Sequence, residues 1–156
     1  MTSDLEEGDR PRELVGVGCD TEERSRLERT LERDPGFLER WYRPEERADL
    51  QKASDPVGLA LQFFCLKEAA IKALWSCGPL GPDSVECHWS QSEGWRLRPL
   101  PVPPGVRLEG HAGLEGGLGW ARVLAWRDLE GGNKKGREKP RPKSILSAEP
   151  DGPHAI

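Results

Sequence analysis

The sequence predicts an α+β fold, one long buried helix packed on an antiparallel sheet, and three observations carry that reading. Residues 57–75 are apolar almost all round, the mark of a helix covered on every side. Residues 84–127 alternate apolar and polar side chains in short runs punctuated by Pro and Gly, the period-2 pattern of strands. Leu14-Val15-Gly16-Val17-Gly18-Cys19 is a short apolar run with β-branched residues that closes on Asp20, and reads as a buried strand joining the same sheet.

The elements follow in order. Residues 1–12 read as a disordered, solvated acidic tail. After the first strand, Thr21 can cap a helix whose first turn holds Glu22 and Glu23, favourable at the positive helix end. Leu27 and Leu31, four apart, give that helix its apolar stripe, and Asp34-Pro35-Gly36 stops it. Phe37, Leu38, Trp41 and Tyr42 form an apolar anchor, and Pro44-Glu45-Glu46 opens a short helix through Leu50. Asp55-Pro56 begins the long helix, whose strongly polar positions are Gln62, Lys67, Glu68 and Lys72. Gly78-Pro79-Leu80-Gly81-Pro82 ends it. Strands are expected around Val85/Cys87/Trp89, Trp95/Leu97, Val106/Leu108 and Trp120/Leu124/Trp126. Residues 128–156, rich in Gly, Lys, Arg, Pro and Ser, read as a disordered basic tail, leaving one domain over 13–127.

Composition narrows the function classes. The 156 residues carry 23 Lys and Arg against 27 Asp and Glu, a net charge of −4, so electrostatics give no case for nucleic acid as a partner. No apolar run approaches transmembrane length and the acidic start is no signal sequence, so a cytoplasmic protein without a membrane role is expected. Cys19, Cys65, Cys77 and Cys87 contain no C-x-x-C spacing and, with His88, fit no zinc finger. All six Trp fall within 13–127, where they read as core and interface anchors. A core of about 110 residues is small, and such a protomer gains from burying a face in an oligomer.

Three residues stand out chemically. Asp20 closes a buried strand, where a carboxylate is costly unless it caps, pairs or ligates. A helix cap is the simplest of these. Glu68 and Lys72 lie four apart on one face of the long helix. On an exposed helix they would be an ion pair worth roughly 0.2–0.5 kcal/mol. On a buried helix, an acid and a base also suit a divalent cation, such as magnesium, with phosphate beside it. Glu22 and Glu23 could add a third ligand, or could simply face the helix dipole.

The motifs around these residues resemble a known family. Val15-Gly16-Val17-Gly18-Cys19-Asp20 resembles the opening "GIGID" of the 4′-phosphopantetheinyl transferase superfamily, in its holo-acyl-carrier-protein synthase-like branch. Phe37-Leu38-Glu39-Arg40, then Tyr42-Arg43-Pro44-Glu45-Glu46, resembles its "F…R.FT..E" segment, and Phe64 to Leu74 resembles its "F..KEA..KAL" signature. The resemblance implies magnesium-dependent transfer of 4′-phosphopantetheine from coenzyme A to a serine of an acyl or peptidyl carrier protein. By the same resemblance, Asp20, Glu68 and Glu22 would hold Mg2+, and Glu68 and Lys72 would be catalytic. Lys67 and Lys72 would face coenzyme A, Arg26 would face the carrier protein, and a homotrimer would be the assembly. Two departures stand beside it. Trp75-Ser76-Cys77-Gly78 occupies the place of the family's Gly-Thr-Gly loop, and the last strand, Gly119 to Leu124, lacks the family's Ser-x-Ser-His. They leave open a rival of another class, a non-catalytic transferase-like domain that binds a carrier protein or synthase.

Overall fold

Two glycines set the packing of the domain. In the computed structural model, which describes residues 11–100 and 105–129, strand β1 (Arg12–Glu23) lies directly under helix α4 (Pro56–Ala73). A Cβ on Gly16 would sit 1.8 Å from the carbonyl oxygen of Ala73, and one on Gly18 would sit 1.8 Å from that of Ala69. Only a residue without a side chain lets strand and helix backbones approach this closely. The contacts also fix direction. Two residues of strand advance about 6.6 Å and four of helix about 6 Å, so steps of +2 along β1 meet steps of −4 along α4. A bulge between Leu14 and Gly16 re-aims the strand so that Gly16, Gly18 and Asp20 share the helix-facing side.

The sheet has five strands in the order β1-β5-β4-β3-β2, each neighbouring pair antiparallel. Strands β2 (Val85–Ser90), β3 (Gly94–Pro99), β4 (Val106–Glu115) and β5 (Leu118–Asp128) follow α4 in sequence. β1 returns to pair with β5 along its whole length. The predicted α+β class and all five strand positions are therefore met. α4 covers one face of β1, β5 and β4. Its Leu61, Phe63, Cys65, Leu66, Ala69 and Ala70 are fully buried with Val123 and Ala125 of β5. Helices α1 (Arg24–Arg33), α2 (Phe37–Trp41) and α3 (Pro44–Lys52) precede α4. Trp41 lies 5.5 Å from Phe37 and 4.7 Å from Phe64, ring centre to ring centre, so the expected aromatic anchor docks α2 on α4.

The first helix begins later than the sequence suggests. β1 runs on through Thr21 and Glu22 to Glu23, paired with Leu118, and α1 starts at Arg24. Neither Asp20 nor Thr21 is a cap; Glu23 holds the capping position without a side-chain hydrogen bond. Pairing across the sheet outweighs the local cap signal here. The β4–β5 turn places Gly116 and Gly117 at positive φ and offers the Gly117 carbonyl to the Arg24 N–H at 2.9 Å, which ends the strand. At the other corner Leu129 N–H donates to the Pro11 carbonyl. Of the acidic tail expected over 1–12 and the basic tail expected over 128–156, residues 1–10 and 130–156 lie outside the described residues, while Arg12 and Asp128 are paired strand ends.

The entry to α4 carries a pH-dependent tie. Asp55 caps the helix by accepting the Gly58 N–H at 3.1 Å, and its two oxygens receive Arg24 Nη1 and Nη2 at 2.8 Å each. The guanidinium first, then the Gly58 N–H, hold its carboxyl at about 2, below the usual 3.8. A lowered carboxylate contributes stability above its unfolded value and loses it as the pH falls through its folded value. Thermal melts should therefore show this share disappearing between pH 3.8 and about 2. Asp55→Asn, which keeps a capping oxygen but not the charge, should melt lower at neutral pH and flatten that part of the acid profile. Both partners are substantially exposed, so salt should shrink the difference.

Candidate active site

Beyond Gly16 and Gly18, the next helix-facing positions of β1 are Asp20 and Glu22. The helix opposite them carries Cys65, with Glu68 and Lys72 one and two turns further along its flank. Lys72 reaches back across the seam. Its Nζ donates to Asp20 Oδ1 at 2.7 Å and to the Cys19 carbonyl at 3.0 Å. The side chain of Asp20 is 15 % exposed and that of Lys72 49 %, so the pair lies at a rim open to solvent. The hydrogen bond to Asp20, followed by its charge and that of Glu68, raises the Lys72 pKa and keeps the ammonium charged.

Glu68 has the opposite bias. Burial pushes its carboxyl up, the nearby Asp20 charge pushes it further, and Lys72 only partly opposes them. Beneath, the Cys65 thiol is pushed up to about 12 by burial and by the charges of Asp20 and Glu22. It is an inert floor to the cluster.

The structure thus brings together Asp20, Glu68 and Lys72, with Glu22 close by. Glu22 already has partners: Oε1 accepts the Glu23 N–H at 2.9 Å and Oε2 lies 3.5 Å from Arg26 Nη1. The Arg26 side chain is 71 % exposed. Lys67 is elsewhere. It is fully buried, and its Nζ meets Glu46 Oε2 at 2.9 Å, the Pro82 carbonyl at 3.0 Å and the Val85 carbonyl at 2.7 Å. Those three acceptors use its three protons. Glu46 is equally enclosed and also accepts the backbone N–H groups of Arg43 and Cys87. The KEA lysine assigned toward coenzyme A in the sequence is here a buried strut joining α4, α3 and β2. Sequence reasoning missed Cys65 as the floor, although its i−3 spacing from Glu68 was a signal. It also missed the Cys19 carbonyl, which no side-chain pattern reveals.

Among the described residues, no three His, Cys, Asp or Glu side chains converge to hold a metal ion. The donor chemistry still suits a hard divalent cation. Asp20 and Glu68 are close enough for the charge of one to shift the other, and magnesium commonly takes one or two carboxylates while water and phosphate oxygens complete its shell. No described helix is long and apolar enough to cross a membrane.

A small α+β domain with an acid–base cluster on a strand–helix seam has known counterparts. The sequence pattern of the 4′-phosphopantetheinyl transferase superfamily matches residues 16–113. A holo-[acyl-carrier-protein] synthase of Alkaliphilus metalliredigens is 42 % identical over 62 residues, 39 % of this chain and 50 % of that protein. One of Caldanaerobacter subterraneus is 40 % identical over 60 residues, 38 % of this chain and 47 % of that protein. The chain thus spans about half the length of the curated relatives it matches. Its fold is shared with the holo-acyl-carrier-protein synthase of Bacillus anthracis in complex with CoA (3′,5′-ADP), at a TM-score of 0.61 and 20 % identity over 74 % of this chain and 98 % of that one. The synthase of Plasmodium yoelii gives a TM-score of 0.64 and 19 % identity over 77 % and 100 %. The chain belongs to the 4′-phosphopantetheinyl transferase superfamily.

Proposed function

We propose that this protein transfers 4′-phosphopantetheine from coenzyme A to a serine hydroxyl of an acyl or peptidyl carrier protein, in a magnesium-dependent reaction. The observation that supports it most is the Asp20–Lys72–Glu68 cluster, three ionisable groups drawn from two elements onto one open rim. Family membership and the CoA-bound synthase of similar fold agree with it.

In this reading the serine oxygen attacks the phosphorus nearest the pantetheine arm. The bond from that phosphorus to the bridging oxygen breaks, and 3′,5′-adenosine bisphosphate leaves. Glu68, whose proton affinity is raised, takes the serine proton. Lys72, whose charge is secured by Asp20, neutralises the departing phosphate. Asp20 and Glu68, with Glu22 as a candidate third, would hold Mg2+, which supplies charge neutralisation on the pyrophosphate when bound. Arg26, exposed beside Glu22, would meet the acidic surface of a carrier protein. The sheet face turned away from α4 leaves Leu14, Val17 and Trp120 at least a third exposed, and such a surface suits association with further copies of the chain, a trimer in the family pattern.

The test is a mass measurement. The full chain is incubated with coenzyme A, magnesium and a panel of apo carrier proteins, and one carrier should gain the mass of a phosphopantetheine arm. The metal expectation is checked by chelation, which should stop the gain. Carrier binding without any gain would favour the non-catalytic domain instead. Native mass of the same sample reports the assembly, and a stable monomer would remove the trimer.

A further inference from the structure

The sheet has a gap between β3 and β4. β4 pairs with β5 along its whole length, from Val106 opposite Arg127 to Glu115 opposite Leu118. On its other edge it pairs with β3, among the described residues, at Leu97 and Leu108 alone. Past Leu108 the β2–β3 hairpin diverges. A slot of about 640 Å³ opens there, with Glu93, Gly94 and Trp95 of the hairpin tip on one side and residues 108–112 of β4 on the other. Alternate residues of 109–113 turn their backbone N–H and C=O groups toward this slot, where no described strand meets them.

Tryptophans line the slot on both faces of the sheet. Trp89 and Trp95 lie 5.0 Å apart, ring centre to ring centre, and Trp95 lies 5.6 Å from Phe63 of α4, so this pair is on the helix side. Along β5, Ala121, Val123 and Ala125 are buried, which turns Trp120 and Trp126 to the opposite face. Trp120 reaches across β4, since a Cβ on Gly113 would lie 2.7 Å from its ring. All four indoles line the slot, and Trp89 and Trp120 are still 48 % and 37 % exposed. Successive side chains of an extended strand point to opposite faces. A strand entering here therefore calls for two adjacent apolar residues, one for each tryptophan pair. The rim carries both signs of charge, Glu93 and Glu109 with Arg12, Arg107 and His111, so apolar fit rather than charge selects the occupant.

The chain itself supplies such a pair. Among residues 130–156, Ile145 and Leu146 are the only adjacent large aliphatic residues, between Lys143-Ser144 and Ser147. Their attachment point is close at hand. The Asp128 N–H donates to the Gly105 carbonyl at 2.9 Å, so the chain leaves β5 beside the start of β4. From Val106 to Ala112 the strand advances about 20 Å. Residues 130–142 span roughly the same distance even as a random coil. We propose that Lys143–Ser147 docks in the slot as an added strand along residues 109–113 of β4, with Ile145 against one tryptophan pair and Leu146 against the other. The added strand closes an edge that would otherwise be open to pairing with other chains. It leaves Leu14 and Val17, on β1 at the far side of the sheet, exposed for association between copies. The proposal does not depend on the transferase reading.

The test is amide hydrogen exchange on the full chain, on the double variant Ile145→Ser/Leu146→Ser and on the conservative Ile145→Val/Leu146→Ile, each at two protein concentrations tenfold apart. A tethered strand acts at an effective concentration of order millimolar. If it binds the slot with a Kd about ten times lower, exchange over 109–113 should be about tenfold slower in the parent than in the serine variant. The conservative variant should keep the parent's protection. None of these rates should change with protein concentration, and exchange within α4 should be the same in all three chains. Equal exchange over 109–113 in parent and serine variant overturns the proposal, whether both are fast, as for an open edge, or both slow, as for a different occupant. Protection that fades on dilution overturns it as well and identifies a second copy of the chain in the slot. Faster exchange throughout α4 in the serine variant overturns it too, since the pair would then support the whole core rather than one strand edge.

Discussion

Glu68→Gln should all but stop phosphopantetheine transfer and should not lower the melting temperature. The two halves of this expectation come from one cause. Burial, and then the charge of Asp20, make ionised Glu68 unfavourable in the folded chain and raise its proton affinity. A raised carboxylate pKa means that stability is full when the group is protonated and is lost as the pH rises through the folded value. Glutamine resembles the protonated form, so at neutral pH the variant should melt at or above the parent. In the proposed mechanism the same substitution removes the group that accepts the serine proton and one of the two carboxylates that would face the metal. General-base catalysis alone is commonly worth about 10²–10⁴ in rate. The measurement pairs a mass-based transfer rate with a melting curve at pH 7. A variant that still transfers at the parent rate would move the base elsewhere. One that melts well below it would show that Glu68 is a structural partner rather than a strained functional group.

Gly18→Ala should damage fold and site together, by a large margin for a single methyl group. Its Cβ would lie 1.8 Å from the Ala69 carbonyl oxygen, 2.8 Å from the carbonyl carbon and 2.9 Å from the Ala73 nitrogen. These are backbone atoms of the central helix, which cannot swing aside as a flexible side chain can. Overpacking a core commonly costs about 1–3 kcal/mol and more where the backbone must move. Here β1 and α4 must separate, so the cost should reach or exceed the upper end of that range, a substantial part of a stability of order 5–15 kcal/mol. Separation also pulls Asp20, two residues along the strand, away from Lys72, whose 2.7 Å contact spans the same seam. Denaturant melts should register the first effect. Transfer assays on whatever fraction remains folded should register the second, as a rate below that of an equally destabilised variant far from the seam. An alanine variant with the parent's stability would mean that the seam is looser than its geometry indicates.

The legibility of the sequence was uneven, and the pattern has a physical basis. The class of fold was readable because a helix buried on every side and strands with one solvated face leave different periodicities in the chain. The α4 span came out within two residues at either end, aided by Asp55-Pro56 and the glycines and prolines after Trp75. The end of β1 is not legible, since Thr21 carries a local cap signal while the ladder to Leu118 involves residues nearly a hundred positions away. The sequence groups Lys67 with its neighbour Glu68, because adjacent helix residues share a motif. They point about 100° apart around the helix, and only the partner Glu46, on a different helix, shows which of the two is enclosed.

By itself, the sequence determined the α+β class, the buried helix and the family, and through the family's motifs it singled out Asp20, Glu68 and Lys72. Their local chemistry left them divided between a helix cap and a surface ion pair. Tertiary structure decided between those readings. It carried β1 past Asp20, so that the carboxylate is no cap, and used Gly16 and Gly18 to bring the strand against α4, so that Lys72 pairs with Asp20 across 52 positions of sequence. Periodicity records which face of an element is covered. What covers it, and which charge then lies within 3 Å of another, depends on how elements distant in the chain are packed.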